Sequence, residues 1–143
     1  MKWVTREHAK VDRIACPWLI MRFIDRSPDF FFVPADEVMA VADREGAIPF
    51  DVKGVELGHK EGKCSFDAFI AKYELKDPAL DCLAKIVRAA DTDDRSAASE
   101  GDGLRAIATG FSLLGHDDFG LMGLEFPVYD ALYAWCKQRV SGE

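Results

Sequence analysis

The apolar segment at residues 17–24 limits how this chain of 143 residues can fold more strongly than any other feature. Only Arg22 interrupts its apolar side chains, so a helix formed here must be surrounded by the rest of the protein. Pro17 suits the first turn of this helix and Asp25 its end. We therefore predict a buried central helix, with Arg22 at least partly buried. Asp25 is the nearest acidic partner for it, and snorkelling of Arg22 to the surface is the alternative.

Further patterns predict a mainly helical protein. Amphipathic spacing and capping signals indicate helices at 36–45, at 65–73 with Ser65 as the N-cap, from Asp77-Pro78 to 87, at 104–115, and at 127–136, with a loop at 96–103. Short apolar segments predict strands at 30–33 and 48–52, and a further strand at 55–59. The predicted fold class is α+β, with five or six helices around a small sheet of two or three strands. With 49% hydrophobic residues, the chain is expected to form one domain over residues 1–143.

Charge and composition exclude several classes of function. The formal net charge of -7 argues against a general binder of nucleic acids or anionic membranes, although residues 1–26 carry six basic and three acidic residues (+3), which leaves -10 for the remainder. No apolar run reaches the roughly 20 residues of a membrane span, and no secretion signal is visible. We expect a cytoplasmic protein that binds neither membranes nor, by this chain alone, nucleic acid. Four cysteines without a Cys-x-x-Cys pair favour reduced thiols.

The polar loop from His59 to Cys64 brings an imidazole and a thiol close together in sequence. Cys64 lies where the helix at Ser65 begins, and the positive end of a helix dipole favours the thiolate, the form that binds metals and attacks electrophiles. A buried structural cysteine and a chance neighbouring histidine explain the same residues. Because a metal site needs three or four ligands, the remaining ones must come from elsewhere in the chain.

Two acidic turns could supply those ligands. Asp91-Thr92-Asp93-Asp94 follows a predicted helix, where carboxylates face the negative end of the dipole and require a metal, an arginine or solvent. Gly115-His116-Asp117-Asp118 combines a histidine with two carboxylates, but helix capping accounts for the same residues. Both interpretations remain open for each turn.

An ordered set of short motifs runs along the chain. The set consists of Val11-Asp12-Arg13-Ile14-Ala15, Trp18-Leu19-Ile20, Arg22-Phe23-Ile24-Asp25, Pro49-Phe50-Asp51, His59 with Cys64-Ser65-Phe66, Asp77-Pro78-Ala79-Leu80, and Val128-Tyr129-Asp130-Ala131-Leu132-Tyr133. This set resembles the chromate-resistance family represented by the C-terminal domain of chromate resistance protein B. The resemblance covers nearly the whole chain. It implies a cytoplasmic protein linked to chromate tolerance and the stress response. In that family the domain is found alone, joined to a regulatory N-terminal region, or beside rhodanese-like sulfurtransferases.

The preferred function within this frame is metal binding. His59, Cys64 and Asp91, with Asp94 or Glu56, offer mixed nitrogen, sulfur and oxygen ligands that suit zinc or iron. An open coordination position would admit water, an oxyanion or a redox partner.

Two alternatives remain. In the first, Arg13, Arg22, His59 and Lys63 form a pocket for a tetrahedral oxyanion such as chromate, and Cys64 and Arg22 are the candidate catalytic residues of a sensor or thiol-dependent reductase. In the second, the domain is a non-enzymatic module that binds a protein partner: a regulator, a transporter or a sulfurtransferase.

Overall fold

The computed structural model describes residues 1–92 and 94–142, which contain six α-helices and three β-strands. The strands are β1 (Lys2–Arg6), β2 (Asp29–Val33) and β3 (Ile48–Pro49). The helices are α1 (Asp12–Leu19), α2 (Val38–Glu45), α3 (Ser65–Lys72), α4 (Pro78–Asp91), α5 (Glu100–Leu113) and α6 (Asp118–Val140). A π-helical segment (Ile20–Ile24) extends α1, and short 3₁₀ segments span Ala35–Glu37 and Arg95–Ala97. The predicted mainly helical α+β class is confirmed.

The sheet is parallel, with strand order β2-β1-β3. Parallel neighbours need crossover connections, which α1 provides between β1 and β2 and α2 provides between β2 and β3. After β1, the chain therefore adds β2 along one edge of β1 and then adds β3 along the opposite edge. This makes the carboxyl ends of β1 and β3 a topological switch point, the place where open parallel sheets bind ligands.

Two hydrophobic cores cover the two faces of this sheet. In β1, Trp3 belongs to the larger core while Val4 belongs to the smaller core beneath α2. This is the alternation expected of a strand buried on both faces. The largest fully buried side chains of the larger core are Trp3, Trp18, Tyr129, Phe50, Phe66 and Phe69, contributed by the sheet, α1, α3 and α6. The site described below is anchored in this larger core.

The helix is confirmed, but it is buried only through Ile20, and its boundaries and the exposure and partner of Arg22 differ from the prediction. The helix begins at Asp12, and Pro17 lies inside it, where it removes one backbone hydrogen bond without ending the helix. Arg22 is 38% exposed and forms two hydrogen bonds, of 3.1 and 3.0 Å, with Asp130. Because α1 packs against α6, Asp130 of α6 is the ion-pair partner of Arg22, where Asp25 was predicted. Asp25 instead accepts a hydrogen bond from Trp3 Nε1.

Other elements also differ from the prediction. Strand β3 ends at Pro49 instead of at residue 52. Residues 55–59 form turns instead of a strand, and the backbone folds so tightly there that a Cβ on Gly58 would lie 2.7 Å from the carbonyl oxygen of Val52. The predicted loop at 96–103 is partly helical, because α5 begins at Glu100 and Gly101 packs against Ala89. Helix α6 starts nine residues before Pro127. Strand β1, with its mixed polar and apolar residues, was not predicted.

None of the helices in the described part of the chain is both long enough and apolar enough to cross a membrane.

Candidate metal site

The candidate site lies at the switch point between β1 and β3. Asp12 is the first residue of α1, six residues after β1 ends, and Asp51 follows β3 by two residues. His59 lies in the connection that leads to α3, and Asp91 is the last residue of α4. Helix α1, the connection between β3 and α3, and helix α4 therefore place three carboxylates around one imidazole.

His59 Nε2 is close to all three carboxylates. It lies 3.3 Å from Asp12 Oδ2, 3.2 Å from Asp51 Oδ1 and 3.1 Å from Asp91 Oδ2. A single N–H cannot donate well-aligned hydrogen bonds to three acceptors. Ligand atoms about 2.1 Å from one ion, in contrast, lie roughly 3 Å apart when they occupy neighbouring positions. The separations around Nε2 therefore match those of groups that share one metal ion.

Asp12, His59 and Asp91 form the group that could hold such an ion. Each offers a ligand atom, and these atoms all lie within 4.8 Å of one another. Asp51 contacts His59 but lies outside this group. We define these three residues as the ligand group and treat Asp51 as its neighbour.

Asp12 is the most buried member of the ligand group, with no exposed surface. Its Oδ2 accepts a hydrogen bond of 2.8 Å from Ser65 N, and its Oδ1 accepts one of 3.1 Å from Phe66 N. These are free amides at the N-terminus of α3, where an anion is favoured. Burial raises the pKa of Asp12, while His59 and the Ser65 amide act in the opposite direction. The carboxylate thus joins α1 to α3 and is fixed in orientation.

Asp51 is held by cationic side chains on the outer side of the site. Its Oδ2 lies 3.5 Å from Arg6 Nη2 and 3.7 Å from Arg13 Nη1, and its Oδ1 accepts a hydrogen bond from Ser65 Oγ. Its φ of 50° lies in the left-handed region, which costs a non-glycine residue about 1 kcal/mol or more. The surrounding contacts must compensate for this strain, as is common at functional sites.

The charges of the site are strongly coupled. Burial, followed by the neighbouring Asp12 and Asp51 carboxylates, raises the pKa of Asp91 to about 7. Hydrogen bonds to Asp12 and Asp51 raise the pKa of His59 to about 10. The protein without metal therefore keeps a proton on His59 at neutral pH. A metal cation would replace this proton, because metal binding requires the neutral imidazole.

Solvent reaches the site past His59, whose side chain is 44% exposed. One cavity beside it, of about 400 Å³, is lined by Lys60, Lys63 and Asp94 among others. A second cavity, of about 280 Å³, is lined by Arg6 and Lys53, with His59 between the two. An ion held by the ligand group would thus be approached past both basic and acidic side chains, since Glu61 and Asp94 also line the first cavity and Asp51 the second.

The structure brings His59 and Asp91 together, as proposed from the sequence, but Cys64 is not in the ligand group. Cys64 is 1% exposed and is the N-cap of α3, with its Sγ 3.4 Å from Asp67 Oδ2. Burial and the nearby Asp12 and Asp67 carboxylates raise the pKa of its thiol. Burial and the nearby negative charges therefore outweigh the helix dipole that favoured a thiolate.

The other predicted residues lie outside the ligand group. Asp94 is 45% exposed and 3.6 Å from Arg88 Nε, although it lines the cavity beside His59. Glu56 is paired with Lys72 at the surface. Among the cations of the proposed oxyanion pocket, Arg13 contacts Asp51 and Lys63 lines the same cavity as Asp94, whereas Arg22 is bound to Asp130. Asp93 of the acidic turn lies outside the described residues.

Sequence reasoning missed Asp12 and Asp51 as site residues. Each is the first aspartate after a strand of the parallel sheet, and ligands bind beyond the carboxyl ends of such strands at a switch point. The switch point could not be located from the sequence, because β1 was not predicted. Both residues were nevertheless present in the motifs Val11-Asp12-Arg13-Ile14-Ala15 and Pro49-Phe50-Asp51.

Comparison with known proteins gives one family. The family model described as "ChrB, C-terminal domain" matches residues 3–136. The curated Protein ChrB of Cupriavidus metallidurans is 33% identical over 133 residues, which cover 92% of this chain and 40% of that protein. The chain thus spans well under half the length of this relative. No solved structure matches this chain.

Proposed function

The chain belongs to the family of the ChrB C-terminal domain, a chromate-resistance family, and from this premise we propose that it binds one divalent transition metal ion in support of chromate resistance. The ligands are Asp12, His59 and Asp91. The observation that carries the proposal is the position of His59 Nε2, within 3.3 Å of three carboxylate groups. A buried carboxylate, a partly buried one and an imidazole at a switch point are an arrangement that a cation stabilises.

The ligand atoms narrow the class of metal. One imidazole nitrogen with carboxylate oxygens, and no thiolate in the ligand group, is a harder ligand set than the mixed set proposed from the sequence. Such a set suits Fe(II), Mn(II) or Zn(II). Three protein ligands leave coordination positions open, and those positions would give the ion its Lewis acidity toward water or an oxyanion.

A structural ion pair is the competing explanation of the same geometry. Protonated His59 would then balance the buried carboxylates, and the site would have no affinity for metals. The two explanations differ in what His59→Ala changes. Loss of an ion pair lowers stability alone, whereas loss of a ligand also abolishes metal binding.

Metal analysis of protein purified without an affinity tag tests the proposal. We expect close to one equivalent of metal in the wild type after loading with Fe(II), Mn(II) or Zn(II) under reducing conditions. We expect the metal to be lost in His59→Ala and retained in His116→Ala, a matched control at an exposed histidine. Circular dichroism must show that each variant is folded. A folded wild type that takes up none of the three metals contradicts the proposal.

The link to chromate requires a cellular test. Wild-type protein expressed in a chromate-sensitive bacterium should raise the chromate concentration that permits growth, and His59→Ala at the same protein level should not. Equal protection by both proteins would show that chromate resistance does not depend on the metal site.

Oxyanion binding beside the metal is a second candidate function, favoured by the basic side chains that line the cavities on both sides of His59. Lys60 and Lys63 line one cavity, and Arg6 and Lys53 line the other. Sulfate or chromate should then raise the unfolding temperature of the metal-loaded protein, since a ligand at 100 times its Kd adds about 2.7 kcal/mol. Lys53→Ala or Lys63→Ala should reduce this effect, and Lys137→Ala, which removes a cation stacked on Tyr133, should not.

A further inference from the structure

Cys82 and Cys136 form a thiol pair between α4 and α6, remote in sequence from the ligand group. Cys136 is completely buried in the larger core, and Cys82 packs against that core from α4. The two helices pack directly against each other. Cys82 is a neighbour of Cys136 at the boundary of this core. Burial, followed by the neighbouring Cys82, raises the pKa of Cys136 to about 12.

Cys82 also lines a cavity of about 630 Å³. The same wall includes Trp135 and Arg139, which flank Cys136 on α6, and this places the thiol contact just beneath the cavity surface. Cys82 is partly exposed, whereas Cys16, Cys64 and Cys136 are all buried. A small oxidant can therefore reach one thiol of the pair while the second thiol lies against it.

We propose that Cys82 and Cys136 are a redox-active pair, which a two-electron oxidant of the peroxide class converts to a disulfide joining α4 to α6. Peroxide oxygen transfers to the Cys82 sulfur, giving a sulfenic acid, while the other peroxide oxygen leaves as water. The Cys136 sulfur then attacks the Cys82 sulfur, the S–S bond forms, and the sulfenic oxygen leaves as a second water. Both thiol protons end in water, and the two electrons of the dithiol reduce one peroxide.

The other two cysteines provide an internal comparison. Cys16 Sγ lies 3.4 Å from Asp12 Oδ1, and Cys64 Sγ lies 3.4 Å from Asp67 Oδ2. Each of these thiols is buried and faces a carboxylate, so access and local charge both oppose oxidation. The pair at Cys82 should therefore oxidise first. This inference does not depend on the metal site.

Thiol mapping of the intact folded protein tests the pair. The protein is treated with hydrogen peroxide, its remaining thiols are alkylated under denaturing conditions, and its peptides are analysed without reduction. We expect the chain to lose about 2 Da and to yield one linked peptide joining Cys82 to Cys136, with Cys16 and Cys64 alkylated. Protein oxidised in denaturant is the control and should give mixed pairings.

A variant separates the two steps. In folded Cys136→Ser, the sulfenic acid has no resolving thiol, so dimedone should label Cys82 several-fold more than in the wild type. Four alkylated cysteines after peroxide treatment, or disulfides of Cys16 or Cys64 formed as readily as the Cys82–Cys136 link, would overturn the proposal. The same holds if Cys82 forms only links between chains.

Discussion

The site around His59 and the turn from Gly115 to Asp118 contain the same residue types in different settings. In the turn, the carboxylates accept hydrogen bonds from backbone amides of α6 and of a neighbouring segment. Asp117 Oδ1 accepts a hydrogen bond of 2.7 Å from Gly120 N, and Asp118 accepts hydrogen bonds from His8 N and Ala9 N. His116 is exposed to solvent. The helix-capping interpretation therefore accounts for this turn.

The His59 site differs because its carboxylates converge from separate elements and are largely removed from water. Asp12 also accepts two helix amides, yet it still lies 3.3 Å from His59 Nε2. Buried carboxylates close together must keep a proton or bind a cation. The comparison shows that burial and convergence, and not the presence of histidine beside aspartate, distinguish a candidate metal site from a capped turn.

The largest expected effect is on stability, from Asp12→Ala. Removal of this carboxylate leaves the Ser65 and Phe66 amides without their acceptor and removes the most buried of the three carboxylates around His59. We expect a loss of about 3 to 5 kcal/mol in the free energy of unfolding, measured by denaturant titration of metal-free protein. A loss no larger than that of a surface cap would show that Asp12 is not an anchor of the site.

The next effect concerns metal affinity and separates two residues of one acidic turn. Asp91→Asn removes a ligand charge, and we expect metal affinity to fall by about 100-fold, or roughly 2.7 kcal/mol. Asp94→Asn is the matched control, since Asp94 lies outside the ligand group and contacts Arg88. Isothermal titration of both variants with Zn(II) measures the difference. Equal losses of metal affinity in the two variants would contradict the assignment of Asp91, and not Asp94, as the ligand.

A third prediction uses the buried carboxyl group of Glu125. It is 1% exposed, its Oε1 has no hydrogen-bond donor among the described residues, and burial raises its pKa to about 7. Because the folded-state pKa is raised above 4.5, stability present below pH 4.5 is lost as the pH rises to about 7. Glu125→Gln should therefore stabilise the protein at pH 8 by on the order of 2 kcal/mol.

The pH profile provides the control for this variant. At pH 4.5 the wild type and Glu125→Gln should unfold at similar denaturant concentrations, because the wild-type carboxyl is protonated in the folded state and still about half protonated in the unfolded state. A difference in stability that is constant between pH 4.5 and pH 8 would contradict the raised pKa.

The smallest effect is expected at the capped turn. Asp117→Ala removes the acceptor for Gly120 N and should cost about 1 kcal/mol of stability, measured by thermal or denaturant unfolding. Metal affinity should stay within twofold of the wild type. A large loss of metal in this variant would remove the distinction between the two regions.

Local sequence patterns predicted much of the helical structure. Asp77-Pro78 begins α4 as predicted, and Gly46 ends α2 in the left-handed conformation at φ 66°. The capping chemistry of these residues is local and is therefore visible in sequence. Pro17 and Pro127 misled the boundaries, because tertiary packing keeps both prolines inside helices.

The site was only partly predictable, because it is assembled by the parallel sheet. His59 and Asp91 were identified from their local sequence. Asp12, in contrast, contacts Ser65 and Phe66, which lie 53 and 54 positions further along the chain. No local pattern encodes that pairing. The state of Cys64 was also unpredictable, since its burial depends on the packing of α3 rather than on its position at a helix N-terminus.

X-ray absorption at the zinc edge of the loaded protein tests the central claim most directly, because it identifies the ligand atoms. The account predicts a first shell of nitrogen and oxygen at about 2.0 to 2.2 Å with the outer-shell signal of one imidazole, which is lost in folded His59→Ala. A sulfur atom at about 2.3 Å would instead place the metal on a cysteine such as Cys64. That result, or zinc held without an imidazole, would contradict a site built from Asp12, His59 and Asp91.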